Sequence, residues 1–250
     1  MGLDVAETPR ANGLKTALDT IVAPQEAFER LRSAPTWGWA FLIAAVLLVA
    51  GNLLQRPAQL HAAAGTMQHL FATNSFFANF TGAQKQQALE RATHPTTVQT
   101  AIGLIGVVVS LLVAALLNSI VLWAGSAIGR GTANFRNLWA ASLNITIPTF
   151  GLSYVILGVI CLALGAEHFQ TNADVLRAIP GVAMLFPNTS GVLGGFLFGL
   201  NVFTLWGFAL NVLVVRIVGG VTNALAWLVP LLILLGGALL TGLASGFYGG

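Results

Sequence analysis

Charged residues are missing from this 250-residue chain in whole blocks: none falls in 33–55, 92–129, 137–166, 178–215 or 217–250. A helix needs about 20 apolar residues to cross a bilayer, and each of these windows can supply them. Charged side chains make up 8% of the chain and hydrophobic ones 56%, whereas soluble domains carry roughly 25% charged residues. The fold class that follows is an all-α integral membrane protein.

The windows resolve into five predicted spans, about 37–54, 98–128, 138–165, 193–215 and 221–245. Ahead of them, residues 1–17 are polar, mixed in charge and without periodicity, and read as a flexible N-terminal tail. From Leu18 to Pro35 the chain turns amphipathic. Pro24 suits a first helical position, Glu26 can pair with Arg30, and Ala27, Phe28 and Leu31 share one apolar side. Two readings fit: a short helix in the membrane interface before Trp37 and Trp39, or a connector with Phe28 packed on the bundle. Residues 55–97 form an amphipathic outer helical connection: Leu60, Ala64, Met67, Leu70 and Phe71 recur at helical spacing. Thr81 with Gln84 has the form of a capping box opening a second short helix, stopped at His94-Pro95. Five spans put the termini on opposite sides. With the N-terminus inside, seven basic residues (Arg10, Lys15, Arg30, Arg32, Arg130, Arg136, Arg216) lie inside and four (Arg56, Lys85, Arg91, Arg177) outside, the expected bias. Residues 18–250 form one membrane domain in this reading.

Several function classes lose support on composition alone. The sequence pI near 9.6 reflects an excess of only +3, spread over segment ends without a basic run, so nucleic acid is not an expected partner. Cys161 is the single cysteine, which leaves no disulfide or cysteine-rich metal centre. The four histidines, His61, His69, His94 and His168, all lie in the outer connections, where no span offers a base to a serine nucleophile such as Ser245. His61 and His69 share roughly one helical side without a nearby carboxylate, a poor metal site. The loop Gly129-Arg130-Gly131 lacks the third glycine and preceding strand of a phosphate loop. No enzymatic activity, cofactor or metal is expected.

Polar residues inside the spans say more. Asn118, Ser119, Asn144, Thr146, Asn201, Thr204 and Asn211 sit among Leu, Val, Ala, Gly and Phe, and an amide facing lipid would leave its groups unsatisfied. Pro148 interrupts the third span just after Asn144 and frees a carbonyl there. The expectation is a polar centre of Asn118, Asn144, Pro148, Asn201 and Asn211, serving either as a small-molecule path or as adhesive between helices. Gly191, Gly195 and Gly199 form a small-residue ridge, with Gly125/Gly129 and Gly242/Gly246 as further pairs. Such ridges serve packing inside a bundle or self-association.

Three stretches resemble the Yip-one domain family, multi-pass membrane proteins that interact with Ypt/Rab GTPases. The first is Pro24-Gln-Glu-Ala-Phe28-Glu-Arg-Leu31 followed by Pro35-Thr-Trp37. The second is Gly129-x-Gly131-x-x-x-Phe135-Arg136, leading through the third span to Pro148. The third is the last pair of spans, with Trp206, Asn211 and the turn Val218-Gly219-Gly220-Val221. The resemblance covers roughly residues 20–245 and implies five spans with the N-terminus inside. Eukaryotic members imply Rab binding and vesicle traffic. This chain lacks their long acidic N-terminal region and Asp-Leu-Tyr-Gly-Pro motif, and is similar instead to the bacterial-type branch of the inner membrane.

The reading that follows is a non-enzymatic protein of the bacterial cytoplasmic membrane. It associates with membrane lipids, other membrane proteins or itself through Phe28, Leu31, Arg130, Phe135 and Arg136. The alternative is a small-molecule or lipid transporter using the polar centre.

Overall fold

The computed structural model describes residues 12–187 and 189–247. Residues 1–11 of the expected tail lie outside them. Helix α1 (Gly13–Val22) starts where the Asn12 side chain accepts the Lys15 N–H at 3.1 Å, a side-chain cap for an otherwise unpaired donor. The tail reading is therefore corrected for residues 13–17, which are helical and bury Thr16 and Ala17. Helix α2 (Pro24–Ser33) follows with Pro24 at its start, where its missing N–H costs nothing. Of its two readings, packing prevails. Ala27, Phe28 and Leu31 are buried inside the bundle, so Phe28 packs on the bundle as the connector reading has it.

Helix α3 (Gly38–Thr73) runs unbroken through Pro57 for 36 residues, merging the first expected span with the amphipathic helix after it. At about 1.5 Å per residue it reaches about 54 Å, well beyond a hydrocarbon core of about 30 Å, so its second half stands outside. There it pairs with α4 (Gly82–Thr93), which opens with the capping box read from Thr81 and Gln84. Phe71, Phe76, Phe77 and Phe80 close the corner, with neighbouring ring centroids 5.1–5.5 Å apart. Arg56 donates to the Thr100 hydroxyl at 2.7 Å and ties α3 to α5 (Thr97–Ile128).

The central element is α6 (Phe135–Thr146), buried from Ala140 through Thr146. Pro148 lacks the N–H an α-helix would need there, and the chain loosens into a π-turn over Ile147–Leu152 before α7 (Ser153–Leu164). Thr149 donates its hydroxyl to the Ile145 carbonyl at 2.8 Å, re-satisfying backbone at bilayer depth. Short helix α8 (Asn172–Arg177) lies in the connection that follows.

The fourth expected span is not one helix. It breaks at Leu200-Asn201 into α9 (Gly191–Gly199) and α10 (Val202–Ile217), with residues 180–182 filling the gap around an extended Gly181. Val182 N–H reaches the Leu200 carbonyl at 2.9 Å, and Val202 N–H the Pro180 carbonyl at 3.1 Å. Helix α11 (Leu225–Phe247) packs along both pieces. Among the described residues, four helical stretches are long and apolar enough to cross a membrane, and α10 is a shorter apolar fifth. The molecule is a helical membrane bundle with four such helices where five spans were expected, the segment 193–215 being divided between α9 and α10.

Three apolar clusters hold it together. One joins Phe28 and Leu31 to Leu138, Val214 and Val218, a second joins α1, α3, α5 and α6, and a third holds Cys161 and Phe169 against Ala58 and Ala62. The first two reach one end, here called basal, where α1, α2 and the loops 129–134 and 218–224 meet. The apical end carries α4 and α8.

Candidate functional site

At the basal end α1 and α2 are clamped by charge. Arg30 pairs with Asp19, Lys15 approaches Asp19 at 3.6 Å, and Arg30 approaches Glu26 at 3.8 Å. Gln25 donates to Glu29 at 3.4 Å. The described carboxylates of this end are thus already engaged.

The loop after α5 folds back onto the turn after α10. Gly131 N–H caps the Ser126 carbonyl at 2.7 Å, and Thr132 N–H reaches the Gly219 carbonyl at 3.2 Å. A Cβ on Gly131 would sit 2.1 Å from that same oxygen, so only glycine permits the approach. Between Gly129 and Gly131, Arg130 holds a left-handed backbone with φ 59°, a conformation that costs an L-residue about 1–2 kcal/mol. Helix α6 then starts with Asn134 capping the Arg136 N–H at 3.1 Å. Arg136 lies in its first turn, where the helix dipole disfavours a cation. Asn137 donates to the Arg32 carbonyl at 2.6 Å and draws α2 to the same corner.

These contacts gather Arg32, Arg130, Arg136 and Arg216 at one end of the bundle. All four are exposed, and among the described residues none has an ion-pair partner. Beside them Trp123 and Phe135 meet edge to face at 6.5 Å. With Ile120, Ala133 and Asn134 they line an open cleft of about 410 Å³ on the side of α5. Of the residues expected to face a partner, Arg130, Phe135 and Arg136 come together on this surface. Phe28 and Leu31 do not: both are fully buried, because the apolar side of α2 is spent on α6 and α10.

The expected polar centre separates into unconnected pieces. Asn118 donates to Ser142 at 3.0 Å and to Asn211 at 3.1 Å, joining α5, α6 and α10. Asn144 points elsewhere, donating to the Thr36 carbonyl at 3.1 Å and the Ala140 carbonyl at 2.7 Å, and so holds the entry of α3. Asn201 caps α10, its side chain accepting from Phe203 and Thr204 at 3.0 and 3.1 Å and donating to Phe198 at 3.2 Å. Thr204 answers with its hydroxyl on the Gly199 and Asn201 carbonyls. Pro148 belongs to the π-turn. A single centre of these five residues is thus corrected to separate hydrogen-bonded contacts and a backbone irregularity.

The glycine ridges face inward as well. Cβ atoms on Gly195 and Gly199 would strike Ser245 and Ala238 of α11, and one on Gly125 would strike Val229. Gly51 was not singled out from the sequence, yet its Cβ position lies 2.4 Å from the Tyr154 carbonyl carbon. Buried Gln55 donates to the Tyr154 oxygen at 2.8 Å one turn further along. A polar side chain at the very edge of a charge-free window was the available signal. The histidines do not assemble: among the described residues no three of His, Cys, Asp or Glu gather as metal ligands.

No family model matches this chain, and no solved structure matches it. Among curated proteins it is 22% identical over 212 residues to "Membrane protein YknW" from Bacillus subtilis (strain 168), covering 83% of this chain and 80% of that one. With the apolar helices this makes the chain a multi-pass integral membrane protein.

Proposed function

We propose that this membrane protein works by association, without catalysing a reaction, through the basal surface of Arg130, Phe135 and Arg136. Its partners are membrane lipids and other membrane proteins or a second copy of itself. The role is one of membrane organisation or trafficking type, in the manner of the bacterial-type Yip-one family that the sequence resembles. One contrast carries the reading. The intramembrane amides bond to one another and to capped backbone, while four arginines without an ion-pair partner among the described residues stand at one end near exposed aromatic rings. A transporter would need the reverse, polar groups left free at bilayer depth. The N-terminus lies inside and the C-terminus outside a bacterial cytoplasmic membrane in this proposal, supported by the basic-residue count and by the bacterial source of the relative.

The test is a photo-crosslinker placed at Phe135 or Arg136 in intact membranes, with lipid-facing Leu232 as control. Reproducible adducts with one protein or one lipid class at the first two positions, against unselective lipid adducts at Leu232, are expected. Equal adducts at all three, or a small molecule retained by a monomer and lost in Asn144→Ala, would overturn the association reading. Orientation is read separately on a Cys161→Ala background, with cysteine placed at Thr81 or Thr132. An impermeant maleimide should label intact spheroplasts at position 81 only.

A further inference from the structure

We propose that the cleft between α5 and the start of α6 binds one anionic phospholipid, with a chain against Ile120, Trp123 and Phe135 and its phosphate held by Arg130 and Arg136. The inference rests on the association reading and gives that surface a definite ligand. Its first support is charge. Four arginines lie at the basal end on segments joined by the Asn137–Arg32 and Thr132–Gly219 hydrogen bonds, and the nearby described carboxylates are engaged by Lys15, Arg30 and Gln25. Helix ends do not account for the patch. Arg216 lies in the last turn of α10, where a cation is favourable, but Arg136 lies in the first turn of α6, where it is not.

The second support is where the cleft opens. Ile120 and Trp123 belong to a span, are 43% and 48% exposed, and lie within the last turns of α5 before its end at Ile128. Ile120 lies eight residues before that end, about 12 Å of helix, so in this proposal the cleft begins in the hydrocarbon and ends at the headgroup level. An occupant must therefore be apolar along one part and anionic at the boundary. A soluble anion satisfies only the arginines, and a neutral lipid only the rings.

The experiment uses the full-length protein in mild detergent, with native mass spectrometry after equal exposure to phosphatidylglycerol and phosphatidylcholine of the same chains. One phosphatidylglycerol should be retained in preference. Each arginine near a membrane surface contributes roughly a fivefold factor, so Arg130→Gln with Arg136→Gln should weaken retention by some twenty- to thirtyfold. The double lysine variant should keep it, and Phe135→Ala should weaken it for both lipids. Equal retention of the two lipids, or unchanged preference in the double glutamine variant, overturns the site. Displacement by millimolar glycerol phosphate, which has no chain, also overturns it. Crosslinking from Phe135 to protein in phosphatidylcholine-only nanodiscs separates the two proposals. If it persists while the lipid preference is absent, the lipid site fails alone; if both are absent, the association reading fails with it.

Discussion

Asn118 on α5 donates to Asn211 on α10 at 3.1 Å, and its second hydrogen reaches Ser142 on α6 at 3.0 Å. One amide thus joins three helices where water is excluded. Interhelical hydrogen bonds in membranes are worth about 0.6 kcal/mol on average and reach about 1–2 kcal/mol. Asn118→Ala should lower stability by about 1 kcal/mol, and a double-mutant cycle with Asn211→Ala should return a coupling of about 0.6 kcal/mol. Equilibrium unfolding in mixed micelles measures both.

Glycine positions divide sharply by what a methyl group would meet. At Gly51 it would lie 2.4 Å from the Tyr154 backbone, whereas at Gly103 nothing lies within 4 Å. Gly51→Ala should force α3 and α7 apart at a cost of about 1–3 kcal/mol. Gly103→Ala should be neutral or stabilising, by up to about 1 kcal/mol from helix propensity. Paired thermal melts in one detergent compare the two.

Arg130 offers a separation of stability from function. Its φ of 59° suits glycine, so Arg130→Gly should stabilise the protein by about 1 kcal/mol. The same substitution removes a phosphate contact and should weaken phosphatidylglycerol retention. A higher melting temperature together with weaker lipid retention is the expected pair of results.

Phe28 and Phe135 carry the same side chain with different duties. Phe28 is 0% exposed and Phe135 37%. Phe28→Ala should cost about 3–5 kcal/mol, the range for an emptied core site, and should reduce the folded yield measured by size-exclusion chromatography. Phe135→Ala should leave that yield intact and change only what the basal end binds.

Much of the architecture was legible because membrane burial is written in composition. The windows without charge, the Thr81–Gln84 cap and the proline at 148 each act through local chemistry, and each appears where the sequence puts it. The extension of α3 past Leu54 was not legible. A change from lipid to water alters which side chains are tolerated without stopping the helix, so 55–73 reads as a new element. The break at Asn201 was hidden for the opposite reason. An apolar run reads as one span, and only the backbone of residues 180–182 makes an interruption affordable.

The candidate site follows the same division. Which residues are polar inside the membrane, and which arginines stand at its edge, is fixed by the chain alone, because transfer from water to hydrocarbon acts on each residue wherever it packs. Which of them meet is a matter of helix rotation and crossing. Helix α6 turns Ser142 toward Asn118 and Asn144 toward Thr36, only two residues apart but on different sides. The α2 side bearing Phe28 was amphipathic in either setting, and only its packing against α6 and α10 decided that it is core. The arginines come together because Asn137 reaches Arg32 and Thr132 reaches Gly219, contacts between segments far apart in sequence that no local pattern encodes.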